Sequence, residues 1–155
     1  MPLRAATKND VPLLYEMVVE LAIFEKAESE VTLSLDQFAR DFDLGVVQGF
    51  VVIDDEDGKP AGMVCYSYRY DCWSGTFMYM NELIVRPEYR RKQYGKLLWA
   101  AVAKEVGVSH ISWRVLDWNK GALKFYDAVP GVMEEKNEAG FLCYRMTKEG
   151  IERMV

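Results

Sequence analysis

Histidine is almost missing from this chain, with His110 alone, and the three cysteines, Cys65, Cys72 and Cys143, form no C-x-x-C pair. An odd number of thiols so spaced argues against a disulfide framework, and one imidazole beside them argues against a metal site. No apolar run approaches the roughly 20 residues that would span a bilayer, so a membrane is not expected as a partner. The opening MPLRAATKND has neither the apolar stretch nor the small-residue cleavage site of a secretory signal, and a cytoplasmic location is expected. A cationic excess is lacking too, since 19 Lys and Arg stand against 24 Asp and Glu for a formal charge of −5. Nucleic acid, which is bound by clustered cations, is therefore not expected, whereas small cationic ligands are compatible. No repeat or Pro/Gly/Ser linker interrupts the 155 residues, so a single domain over 1–155 is expected.

What is present is an alternation of hydrophobic periods. Leu3 to Ala6 reads as a short strand, and Asn9 or Asp10 caps a helix whose Val11, Leu14, Tyr15, Val18, Leu21 and Ala22 recur at helical spacing. Ser34 with Gln37 forms a capping-box pattern for a second helix bearing Leu35, Phe38 and Phe42. Gly49–Ile53 and Ala61–Tyr70 are β-rich, and the intervening Asp57-Gly58 predicts an antiparallel hairpin. A third strand, Thr76–Val85, puts Phe77, Tyr79, Asn81, Leu83 and Val85 on one face and Met78, Met80, Glu82 and Ile84 on the other. A helix over Tyr94–Val106 closed by Gly107, a strand over His110–Leu116, a helix over Gly121–Ala128 and a last strand over Phe141–Met146 follow. The order predicts an α+β fold, a mixed and mostly antiparallel sheet with helices on both faces.

Between the third strand and its helix lie five cations, Arg86, Arg90, Arg91, Lys92 and Lys96, with Gly95 among them. Unpaired N–H groups and the positive end of the helix dipole make this a place for an anion. A run of Arg and Lys alone is more often a solvated loop, and a second motif supplies the context that reverses this. It is Asn119-Lys120-Gly121-Ala122-Leu123-Lys124-Phe125-Tyr126, at the next strand end and helix.

In order, V-x-P-x-x-R-x-x-x-x-G over Val85–Gly95 and N-x-x-A-x-x-F-Y over Asn119–Tyr126 resemble the GNAT acetyltransferase superfamily. The first 45 residues, the loop Tyr70–Gly75 and the strand segment Tyr79–Glu82 look like its diamine branch, the spermidine/spermine and thialysine acetyltransferases. The resemblance covers nearly the whole chain. It implies the GNAT acyl-CoA N-acyltransferase fold, a homodimer, and direct transfer of acetyl from acetyl-CoA to a primary amine, without metal. By the same resemblance, backbone groups of Leu83, Ile84 and Val85 pair with the pantetheine arm. Arg90, Arg91, Lys92, Gln93, Tyr94, Gly95 and Lys96 hold the phosphates, and Asn119 and Ala122 border the cofactor. Tyr126, seven residues after Asn119, donates a proton to the CoA sulfur, as a neutral phenol can at pH 7.

On the amine side the resemblance places Phe24, Glu25, Asp71, Trp73, Asn81, Glu82 and Arg114. The branch has Glu where this chain has Asn81, and asparagine is not a base. Either water linked to Glu82 or another carboxylate deprotonates the amine, or the amine binds neutral; Glu82 shares the face of Asn81 only if a bulge re-aims it. Arg114 stands where an apolar residue would suit a polyamine, so a substrate with a carboxylate, such as thialysine or lysine, is expected over spermine. Gln93 replaces a usual glycine and is tolerated if its φ stays negative. The alternatives are a protein or peptide N-acetyltransferase and a non-catalytic acyl-CoA-binding module.

Overall fold

The computed structural model describes residues 2–104, 108–138, 140 and 142–154, in two compact units, Met1–Arg114 and Val115–Val155. The first unit holds a five-stranded sheet in the order β1 (Leu3–Ala5), β2 (Gln48–Ile53), β3 (Pro60–Asp71), β4 (Gly75–Val85) and β5 (Ile111–Ser112). β1 to β4 run antiparallel to their neighbours, and β5 lies parallel to β4. The mixed, mostly antiparallel sheet expected from the sequence is what forms.

Helix α1 (Val11–Phe24) begins after a 3-10 turn, Lys8–Asp10, that Asp10 ties together. Its carboxylate accepts from the Thr7 backbone N–H at 2.8 Å and the Thr7 hydroxyl at 2.9 Å, and it takes two hydrogen bonds from Arg4 at 2.7 and 2.8 Å. Lys26, left-handed at φ 58°, ends the helix and so fixes where Phe24 and Glu25 emerge. In α2 (Leu35–Asp43) half of the expected capping box forms: the Ser34 hydroxyl accepts from Gln37 N–H at 3.1 Å, while the Gln37 amide turns to Asp41. Val11, Leu14 and Met17 of α1 and Phe38 of α2 pack on Val51, Met63, Cys65 and Ile84 of the sheet. Leu14 is fully buried, and truncating such a side chain to alanine costs about 2–5 kcal/mol. Helix α3 (Tyr94–Ala103) contacts β2, β3 and β4, with Leu98 and Val102 fully buried.

A bulge in β4 overturns the expected alternation of its faces. Cys65 pairs with Glu82 but Tyr66 pairs with Met80, so Asn81 is the extra residue. Paired residues share a face, and each strand alternates elsewhere. Glu82 and Ile84 therefore lie on the α1–α2 side with Cys65, and Asn81 reaches the same side, where its Oδ1 accepts from the Ser67 hydroxyl at 2.9 Å. Leu83 and Val85 move to the opposite face from Phe77 and Tyr79, and Met78 and Met80 part company with Glu82 and Ile84.

Other expectations needed trimming. α3 ends at Ala103, and the expected continuation to Val106 and the Gly107 cap lie outside the described residues. The strand over His110–Leu116 shrinks to Ile111–Ser112, paired only with Met78 and Tyr79. In the second unit α4 (Lys120–Asp127) forms as expected, followed by two short helices, α5 (Glu135–Glu138) and α6 (Lys148–Glu152). Leu142–Met146 form no strand, and Phe141 lies outside the described residues. An alternating pattern makes a strand only where a neighbour completes the ladder, and that segment has none among the described residues.

Candidate active site

The loop between β4 and α3 is shaped by its backbone and braced by its side chains. Arg91 and Gln93 both adopt left-handed conformations, at φ 70° and 63°, with Gln93 as N-cap of α3. The condition under which glutamine would be tolerated without strain is not met, since a positive φ is the conformation that favours glycine. The loop leads into the positive end of α3, whose first N–H groups have no partner within the helix. An anion such as a pyrophosphate fits that arrangement of donors. Gly95 lies in the first turn, and a groove of about 510 Å³ lined by Gln93, Tyr94, Lys96 and Leu97 runs beside it.

Most of the cations expected here serve the protein instead. Arg86 donates to Glu16 at 2.7 Å, to Glu20 at 2.6 and 3.1 Å, and to the Pro60 carbonyl at 3.2 Å, rooting the loop on α1 and β3. Arg90 donates to the Val85 carbonyl at 3.2 Å and lies over the Phe24 ring. The Lys92 ammonium turns to Asp54 at 2.8 Å and Glu56 at 2.7 Å, which raise its pKa, and the Tyr94 hydroxyl donates to Asp54 at 2.9 Å. Lys92 and Tyr94 therefore carry internal contacts rather than presenting their polar ends to a ligand. Arg91 and Lys96 are exposed. Leu83, Ile84 and Val85 pair with β3 on one side, and β4 pairs with β5 only at Met78 and Tyr79, since β5 ends at Ser112.

On the bulged strand, before the loop begins, a second group gathers around Glu82. The side chain is largely buried, and desolvation pushes its pKa up to about 7, with the nearby Glu25 charge adding and Arg114 opposing. Burial raises Glu25 as well. Arg114 donates through Nε to the Tyr79 hydroxyl at 3.0 Å, and the Arg69 guanidinium lies 3.5 Å from the centre of the Tyr79 ring. Among the described residues neither arginine forms an ion pair with a carboxylate. Cys65, opposite Glu82, has its thiol pushed up to about 12 by burial and is no nucleophile at neutral pH.

Asp71 and Trp73 do not join this group. Asp71 closes the tip of the β3–β4 hairpin by accepting from the N–H groups of Trp73 at 2.6 Å and Ser74 at 3.3 Å. It lies six residues beyond Cys65, ~20 Å along the strand from Glu82, and Trp73 is 92% exposed. In the second unit, Asn119 caps α4: its side-chain oxygen accepts from Ala122 N–H at 3.2 Å, which occupies two groups expected to meet the cofactor. Tyr126 lies on α4 against Phe125, with ring centres 5.4 Å apart. Sequence reading missed Asp54, Arg69 and Tyr79. The acidic run Asp54-Asp55-Glu56-Asp57 was a usable signal for the first, as a charge complement to the basic loop; Arg69 and Tyr79 are brought to Arg114 only by strand register.

The profile of the Acetyltransferase (GNAT) family matches residues 13–129. The chain is 35% identical over 150 residues to the thialysine N-epsilon-acetyltransferase of Caenorhabditis elegans, covering 95% of this chain and 92% of that one. It is 28% identical over 163 residues to the thialysine N-epsilon-acetyltransferase of Bos taurus, covering 98% and 95%. Among solved structures, the aminoglycoside N-acetyltransferase AAC(6')-Iy in complex with CoA superimposes with a TM-score of 0.71 at 19% identity, covering 93% of each chain.

Proposed function

The chain belongs to the GNAT acetyltransferase family and is an acetyl-CoA-dependent N-acetyltransferase, and from that premise we propose that Glu82 is its base and a lysine-like amine such as thialysine its acceptor. The observation that carries the reading is Glu82 itself, re-aimed by the bulge at Asn81 and held at about 7. Moving a proton from an alkylammonium near 10.4 to such a carboxylate costs ~5 kcal/mol, against ~8 kcal/mol for an ordinary glutamate. At neutral pH a large fraction of Glu82 is still ionised and able to accept it. Glu25 adds negative potential that draws the ammonium in. Asn81, fixed by Ser67, holds the bulge and takes no proton.

Acetyl-CoA supplies the activated carbonyl that the neutral amine attacks. The backbone donors of the loop, with Arg91 and Lys96, are assigned to the cofactor's phosphates, and Tyr126 to protonation of the departing sulfur. That last role rests on the Asn119–Tyr126 motif. Arg114, with Tyr79 and Arg69, meets the acceptor's carboxylate, because two guanidiniums that form no ion pair with a carboxylate among the described residues suit an anion and repel a second ammonium. The likeness to the thialysine N-epsilon-acetyltransferases of Caenorhabditis elegans and Bos taurus supports this over a polyamine or a peptide. A cytoplasmic homodimer belongs to the same reading. The family match runs across Arg114 and supports treating both units as one domain over 1–155.

Release of CoA with thialysine, lysine, spermidine and a lysine-containing peptide tests the reading. Thialysine or lysine should have the highest kcat/KM; a strong preference for spermidine or for the peptide would overturn the assignment of Arg114.

A further inference from the structure

We propose that Asp54 is a positioning residue for the cofactor loop, whose buried carboxylate holds the strained backbone at Gln93 in its anion-binding form. The proposal rests on the reading that this loop receives the pyrophosphate, and it adds the question of what keeps the loop in shape. Asp54 is 2% exposed and takes no part in the acceptor chemistry. Its two oxygens divide the work. Oδ2 accepts from the backbone N–H groups of Glu56 at 3.0 Å and Asp57 at 3.3 Å, which fixes the carboxylate to the β2–β3 turn. Oδ1 accepts from Lys92 Nζ at 2.8 Å and the Tyr94 hydroxyl at 2.9 Å, the two residues that flank Gln93.

The flanking grip meets a specific need. A left-handed glutamine relaxes readily toward ordinary φ values, and such a relaxation at the N-cap would reorient the backbone that opens α3 and its free N–H groups. Anchoring the residues on both sides to one oxygen resists that rotation. Tyr89 adds a parallel tether, its hydroxyl donating to Asp57 of the same turn at 2.8 Å. Charge alone gives no reason for Asp54 to be here, because a carboxylate close to an anion site repels the anion. Lys92 and the turn amides hold it ionised, its pKa depressed to about 2, so the grip persists through the neutral range.

This conflict of signs makes the proposal testable by calorimetric titration of CoA into the full chain. If Asp54 acted on the site through its charge, Asp54→Asn would tighten CoA binding by removing a negative charge and releasing Lys92. Positioning demands the opposite: Asp54→Asn weakens binding about tenfold, as expected if the competent loop falls to a tenth of the population. Tyr94→Phe, which leaves the carboxylate in place, weakens it in the same direction by about threefold. In a Gln93→Gly background, where a positive φ carries no strain, the Asp54→Asn penalty shrinks to about twofold. A merely structural Asp54 would lower Tm without moving the Kd measured well below it. Unchanged or tighter binding in Asp54→Asn overturns the proposal, and so does a penalty of equal size with glutamine or glycine at 93. If Asp54→Asn fails to fold, the Tyr94→Phe pair in the two backgrounds decides the question alone. Failure of the wild-type protein to bind CoA would overturn the assignment of the loop itself, and the proposal with it.

Discussion

The β4–α3 loop and the ledge around Glu82 treat charge in opposite ways. In the loop, Arg86 and Lys92 are matched to carboxylates, and the phosphates are assigned to backbone donors with the exposed Arg91 and Lys96. Around Glu82, two carboxylates repel each other, and two guanidiniums meet at a tyrosine rather than at an acid. An anion site built from main-chain groups needs its shape enforced, and side-chain charge goes into enforcing it. A site that must move a proton needs a carboxylate left unsatisfied, because full pairing would return its pKa to the ordinary range.

The largest effect is expected from Glu82→Gln, which should lower kcat/KM about 1,000-fold and abolish the rise in activity as pH increases through about 7. The sign follows from the base being active only when ionised. Stability should move the other way. The folded-state pKa of Glu82 lies above its unfolded value near 4.5, so the native state binds more protons between those values and stability falls as pH rises through that window. Glu82→Gln should therefore melt higher than wild type at pH 8 and show little difference at pH 4. Loss of activity with unchanged pH dependence would remove Glu82 from the mechanism.

Tyr126→Phe comes next, at about 100-fold in kcat with little change in either KM, measured by steady-state kinetics. Arg114→Gln should raise KM for thialysine about tenfold, the value of one charge-assisted hydrogen bond, and leave spermidine unharmed or improved. Equal losses with both amines would make Arg114 a scaffold residue. The smallest effect is at the loop: Gln93→Gly relieves left-handed strain and should stabilise the fold by ~1 kcal/mol, read as a higher urea midpoint with unchanged slope.

Much of this was legible in the residues. The hydrophobic periods of α1, α2 and β2 to β4 give the elements to within a residue or two, because each buries a face that period alone can specify. Val85–Gly95 and Asn119–Tyr126 pointed to the family, and the match over residues 13–129 shows it. The acceptor side was legible only in part. Asn81 and Glu82 are visible as a substituted base and its neighbour, and Glu82 can serve only if a bulge re-aims it. Whether the bulge existed could not be read, because alternation in β4 is consistent with either register until β3 is laid beside it.

Sequence by itself determined the elements from α1 to β4, the family and the cofactor, since these depend on local periodicity and short motifs. Tertiary structure alone decided that Glu82 is desolvated beside Glu25, that Arg69 and Arg114 converge on Tyr79, and that Asp54 grips the residues around Gln93. A pKa set by burial and a hydrogen bond between residues 40 apart in sequence are properties of neighbours in space, and strand pairing is what makes them neighbours.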